Sequence, residues 1–128
     1  MIMSIENADI VCGLAWGDEA KGKIVCSLLE SKQTEYDWVC RWSGGSNAGH
    51  TIWKNNIKYI THIVPAGIFF NIKCYIGPEC YVNIDDLIDE LTYLKEHGFD
   101  TSLLHISPNA HIITESHKEE DRKYYTKQ

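Results

Sequence analysis

An α/β fold, with a largely parallel sheet and flanking helices, is predicted from three features of this 128-residue chain. Short apolar runs of strand length alternate with longer segments whose apolar residues recur at helical spacing. A glycine-bounded loop, Gly17 to Lys23, lies between the first apolar run and the first helical segment. A second loop of small residues, Gly44 to Gly49, follows the next apolar run. Strand, glycine loop, helix is the order in which a parallel α/β sheet presents a phosphate-binding loop.

Each element has its own signal. Ala8 to Gly13 is an apolar run ending in glycine, predicted as a buried strand. Ile24, Val25, Leu28 and Leu29 give an apolar face to a helix from Lys21 or Gly22 to Ser31. Asp37 to Trp42 is a second buried strand, and Gly44 to Gly49 an irregular loop. Thr51 to Trp53 and Ile57 to Ile60 flank Asn55-Asn56, the signature of a hairpin turn. Lys73 to Ile76 is another strand. Ile84, Leu87, Ile88, Leu91 and Leu94 mark one face of a helix that Asn83 caps and Gly98 ends. Leu103 to Ser107 and Ala110 to Ile113 are predicted strands. The polar segment from Ser116 to Gln128 is helical in character and carries no stop signal. Residues 1–128 therefore read as one nucleotide-binding α/β region, the N-terminal part of a longer domain.

Hydrophobic residues make up 44% and charged residues 23%, a soluble globular balance. The formal net charge of -6 argues against a nucleic-acid partner, whose phosphate backbone demands a basic face. A single nucleotide needs only local donors. The five cysteines include no C-x-x-C pair and read as small buried hydrophobes of a reducing compartment. The N-terminus lacks the basic and apolar regions of a secretory signal, and no apolar run approaches membrane-spanning length. The expected location is the cytoplasm.

Gly17-x-x-x-x-Gly22-Lys23 has the spacing of a phosphate loop. Glycines let backbone approach the ligand, and N–H groups at a helix start attract phosphate oxygens. The hydroxyl residue that would hold magnesium is replaced by Ile24. Asp18, inside the loop with Lys21 and Lys23, is the substitute metal ligand, against an ordinary role as helix cap. Glu19 reads as a first-turn residue favoured by the helix dipole. Gly44-Gly-Ser-Asn-Ala-Gly-His-Thr51 delivers His50, a candidate general acid. His62, His97, His105, His111 and His117 have no metal-ligand spacing and read as structural.

Trp16-Gly-Asp-Glu-Ala-Lys-Gly-Lys23 resembles the WGDEGKGK signature of adenylosuccinate synthetases, and Gly44 to Thr51 resembles that family's GG-x-NAGHT segment. The resemblance continues through His62-Ile-Val-Pro-Ala-Gly-Ile68, which is similar to an HLxPSGI stretch, and through Ile76-Gly77. It runs from about Ala8 to about Asp121 and matches the N-terminal part of the family's polypeptide. It implies a GTP-dependent ligase that joins L-aspartate to IMP, giving adenylosuccinate on the route to AMP. Asp18 then matches the base that takes the purine N1 proton and ligates Mg2+. His50 matches the group that stabilises and protonates the purine oxygen, and the Gly49 carbonyl a second metal ligand. Gly17, Asp18, Glu19, Ala20, Lys21, Gly22, Lys23, Gly49, His50 and Thr51 match GTP contacts. Asp18, Glu19, Ala20, Lys21, Asn47, Ala48, Gly49 and His50 match IMP contacts. A homodimer is implied for the full-length enzyme.

The chain also departs from the pattern. Ala15 stands where the family has Gln, and Ser46 and Pro78-Glu79 deviate. Ala20 replaces a glycine, so the backbone there must avoid positive φ or carry strain. A viral branch acting on a guanine nucleotide is similar too but lacks the aspartate, so Asp18 favours IMP. The alternatives are that viral-type synthetase, a nucleotide-binding fragment without turnover, and an unrelated phosphate-loop NTPase.

Overall fold

The computed structural model describes residues 7–14, 20–32, 35–47 and 49–125. The elements run α1 (Lys21–Ser31), β1 (Trp38–Gly44), β2 (His50–Lys54), β3 (Ile57–Thr61), β4 (Lys73–Asn83), α2 (Ile84–Glu96), β5 (Leu104–Ile106), β6 (His111–Ile113) and α3 (Glu115–Tyr125). Short 3-10 turns cover Ala66–Phe70 and Thr101–Leu103.

β4 organises the sheet. β1 pairs with it in parallel, and β5 and β6 pair in parallel with its first and last parts. The predicted parallel α/β class is thus observed. β2 and β3 form a separate antiparallel hairpin, with His50 opposite Thr61. Its turn residues Asn55 and Asn56 have φ of 51° and 62°, the conformation of a type I′ turn that asparagine tolerates. Tyr59 anchors the hairpin: its ring lies 5.2 Å from Phe69 and 5.1 Å from Phe99, edge-on to the latter.

β4 extends well past the predicted Lys73–Ile76 core of the strand. Gly77-Pro78 looked like a terminator because proline cannot donate to a ladder. Between Arg41↔Ile76 and Ser43↔Glu79 the pairing with β1 gains one residue on β4, a bulge that accommodates Pro78 without breaking the strand.

Two expectations are corrected. Residues 8–13 form no strand, and Ile10 and Leu14 are 82% and 101% exposed. A strand needs a ladder for its N–H and C=O groups, and an apolar run does not create one; none of the described ladders includes these residues. On α2, Leu87 and Leu94 are buried as expected, but Ile84 and Ile88 are exposed. The inward stripe is Leu87, Glu90, Leu91 and Leu94, with a glutamate among the leucines.

The core unites the sheet, the hairpin and both flanking helices through Leu29, Ile52, Val64, Ile68, Ile76 and Leu94. Cys26, Cys74 and Cys80 are buried thiols, as expected, whereas Cys12 and Cys40 are exposed. Burial pushes the Cys74 thiol up to about 12. Gly67 fills a place no larger residue fits: a Cβ there would lie 2.7 Å from Val39 Cγ2.

Candidate active site

Of the predicted site residues, Gly17, Asp18, Glu19 and Ala48 lie outside the described residues. The others fall on two elements that meet. Lys21, Gly22 and Lys23 form the first turn of α1, with Ala20 as its N-cap. Asn47 and Gly49 lie in the loop after β1, and His50 and Thr51 open β2.

No side-chain hydrogen bond caps α1 at Ala20. Ala20 has no side-chain oxygen to cap the helix, and the first intrahelical bond is Ile24 N–H to the Ala20 carbonyl at 3.0 Å. N–H groups of an uncapped first turn attract an anion. Ala20 itself has φ 60° and ψ 27°, a left-handed conformation that a glycine adopts without strain. Ile24, at the hydroxyl position of the phosphate-loop spacing, is 48% exposed.

His50 lies over this turn. A Cβ on Gly22 would be 3.3 Å from His50 Nδ1, so glycine lets the imidazole approach the helix backbone. The ring is half-buried. Burial lowers its pKa below the usual histidine range, helped by the Arg41 and Lys21 cations and by His62, with Glu90 opposing. At neutral pH His50 is therefore a neutral imidazole, able to donate one hydrogen bond.

Three residues without an assigned role complete the surroundings. Arg41 on β1 donates to the carbonyls of His62, Ile63 and Gly45. Glu90 on α2 accepts from the N–H groups of His62 at 2.8 Å, Ile63 at 3.2 Å and Val64 at 2.8 Å. His62 packs on Gly49, where a Cβ would lie 3.0 Å from the ring Cε1. Sequence reasoning singled out neither Arg41 nor Glu90 and did not place His62 beside Gly49. The signals were present: an arginine at an inward position of a strand, a glutamate in an apolar helical stripe, and a histidine opening the His62 to Ile68 segment. Ser46, Lys58, His62, Asp86, Asp89 and Glu90 also border an open groove of about 560 Å³ beside the site.

Among the described residues, no group of three or more His, Cys, Asp or Glu side chains could hold a metal. The expected donor set is different: the Asp18 carboxylate, the Gly49 carbonyl and phosphate oxygens. Gly49 is exposed at the site, and such an all-oxygen set suits a hard cation such as Mg2+. Among the described residues, no helix is long and apolar enough to cross a membrane.

The adenylosuccinate synthetase family model matches residues 10–128. The adenylosuccinate synthetase of an Exiguobacterium species is 50% identical over 114 residues, covering 88% of this chain and 26% of that protein. The Shouchella clausii adenylosuccinate synthetase is 46% identical over 120 residues, covering 89% and 27%. The chain thus spans about a quarter of the length of these relatives. Among solved structures, the fully ligated adenylosuccinate synthetase of Plasmodium falciparum superposes with a TM-score of 0.74 at 34% identity, covering 88% of this chain and 25% of that one. The cyanophage S-2L succinoaminodeoxyadenylate synthetase, bound to dGMP and dATP, shares the fold with a TM-score of 0.63 at 19% identity, over 82% of this chain and 29% of that one. Conserved fold, matched motifs and sequence identity over most of its length place the chain in the adenylosuccinate synthetase family.

Proposed function

We propose that this chain carries the phosphoryl-transfer half of a GTP-dependent ligase that joins L-aspartate to IMP in the cytoplasm, as part of a homodimer. One observation carries the reading: the His50 imidazole lies against the first turn of α1 at Gly22. A helix N-terminus with Lys21 and Lys23 suits phosphate oxygens, and a hydrogen-bond donor beside it suits an oxygen that gains negative charge.

In this reading Asp18 takes the purine N1 proton, which makes the purine oxygen nucleophilic toward the γ-phosphate of GTP. His50 donates its N–H to that oxygen. Phosphate charge brought in by both nucleotides offsets Arg41 and Lys21, and so raises the proton affinity of His50 when the substrates are bound. Lys21 and Lys23 stabilise charge on the transferring group. Aspartate then displaces the phosphate. Asp18 and the Gly49 carbonyl would hold Mg2+, which supplies charge neutralisation at the phosphates. The Asp18 carboxylate favours IMP over a guanine nucleotide as substrate.

The test is a pair of variants in the complete synthetase. Asp18→Asn is expected to abolish purine phosphorylation with the fold retained. His50→Asn is expected to lower turnover far more than nucleotide affinity, because its hydrogen bond strengthens in the transition state. An Asp18→Asn enzyme with most of its activity would make Asp18 a helix cap and end this mechanism.

A further inference from the structure

We propose that Glu90 is a positioning residue for His50, acting with Arg41 through the backbone of residues 62–64. The inference rests on the reading of His50 as the catalytic donor.

Residues 62–64 have no ladder of their own. β3 ends at Thr61, and Pro65 precedes the Ala66–Phe70 turn. Three successive N–H groups thus need another acceptor. The Glu90 carboxylate takes all three, with both oxygens engaged. Arg41 donates to the carbonyls of His62 and Ile63. Two side chains from β1 and α2 hold this stretch where secondary structure does not. Charge-assisted bonds of this kind are the strong ones.

The hold reaches His50 by two routes. Thr61, next to the gripped segment, is His50's ladder partner. The His62 ring lies against Gly49, the residue before His50. Arg41 also grips the Gly45 carbonyl, so the pair braces both ends of the small-residue loop, at residues 45 and 49. A displacement of residues 62–64 would move the backbone that aims the imidazole at α1. Among the described residues, the charged and titratable groups facing His50 are Lys21 from α1, Arg41 from β1, His62 after β3 and Glu90 from α2. A glutamine keeps the shape but offers one acceptor oxygen and no charge.

The experiment is NMR at a fixed pH on the chain labelled at backbone amides, for wild type, Glu90→Gln and Glu90→Asp. In Glu90→Gln, amides 49–51 are expected to shift together with 62–64. Glu90→Asp keeps the charge and shortens the reach. It is expected to shift the same amides, and it decides the matter where Glu90→Gln does not fold. Shifts confined to 62–64, with His50 unmoved, would overturn the proposal, as would failure of both variants to fold. In the complete synthetase, Glu90→Gln is expected to lower kcat about tenfold or more, the scale of a misplaced catalytic group, with smaller changes in KM. If His50→Asn leaves turnover intact while the NMR coupling holds, the functional reading of His50 fails and the positioning link stands.

Discussion

Ala20 sits where the helix start needs a left-handed residue, and it carries a Cβ into that conformation. The cost of φ 60° for an L residue is about 1–2 kcal/mol, partly returned because alanine restricts the unfolded chain more than glycine does. Ala20→Gly is therefore expected to stabilise the chain by about 1 kcal/mol, read as a higher urea midpoint at unchanged slope. His50 gives a second residue-level prediction. Its folded pKa is depressed, chiefly by burial and then by Arg41 and Lys21. Above the ordinary value of 6.5, folded and unfolded chains both hold it neutral, and its contribution to stability is intact. As the pH falls below 6.5 the unfolded chain binds a proton that the folded chain does not, and stability declines until the folded value is reached. Urea midpoints measured between pH 5 and 7 are expected to fall more steeply for wild type than for His50→Asn.

At the level of elements, local signals were read from sequence and non-local ones were not. The hairpin at Asn55-Asn56 and the capping of α2 depend on a few neighbouring residues, and both are present: Asn83 Oδ1 accepts from Asp86 N–H at 2.9 Å. The strand expected at residues 8–13, the length of β4 and the facing of Ile88 depend on distant partners. No pattern within ten residues reports those. The same division runs through the site. The glycine loops announced themselves, whereas the Arg41 and Glu90 brace joins β1, α2 and the segment after β3 across long stretches of chain. Asn83 also shows a limit of reading it as a cap alone. Its side chain is 2% exposed and donates to the Ile113 carbonyl at 3.3 Å, tying α2 to β6. Asn83→Ala is expected to cost about 1–3 kcal/mol, and Asn83→Asp to recover only the cap. Gly67→Ala is expected to cost about 1–3 kcal/mol by overpacking, because Val39 is β-branched and held in a strand. Chemical denaturation of each variant checks both.

Across the whole molecule, the buried core lies on one side of the story and a set of uncovered apolar side chains on the other. Trp42 on β1, Trp53 on β2, Ile57 and Ile60 on β3, and Ile84 and Ile88 on α2 are between 42% and 67% exposed. Single exposed apolar residues are ordinary, but several large ones spread over four elements call for a covering surface. The purified 128-residue chain is accordingly expected to self-associate with rising concentration in sedimentation velocity, and to bind a hydrophobic dye. It is also expected to make no adenylosuccinate from IMP, GTP, aspartate and Mg2+. The described site supplies the first turn of α1, Lys21, Lys23 and His50, which are groups for phosphate and for one developing charge. Recognition of guanine and of aspartate needs further donors and acceptors, and none of the resemblances assigns those to this chain. Saturable product formation by the chain alone would show that it, or its self-associated form, builds both remaining pockets. A monomer at every concentration, with no dye binding, would show that the exposed tryptophans and isoleucines need no partner surface.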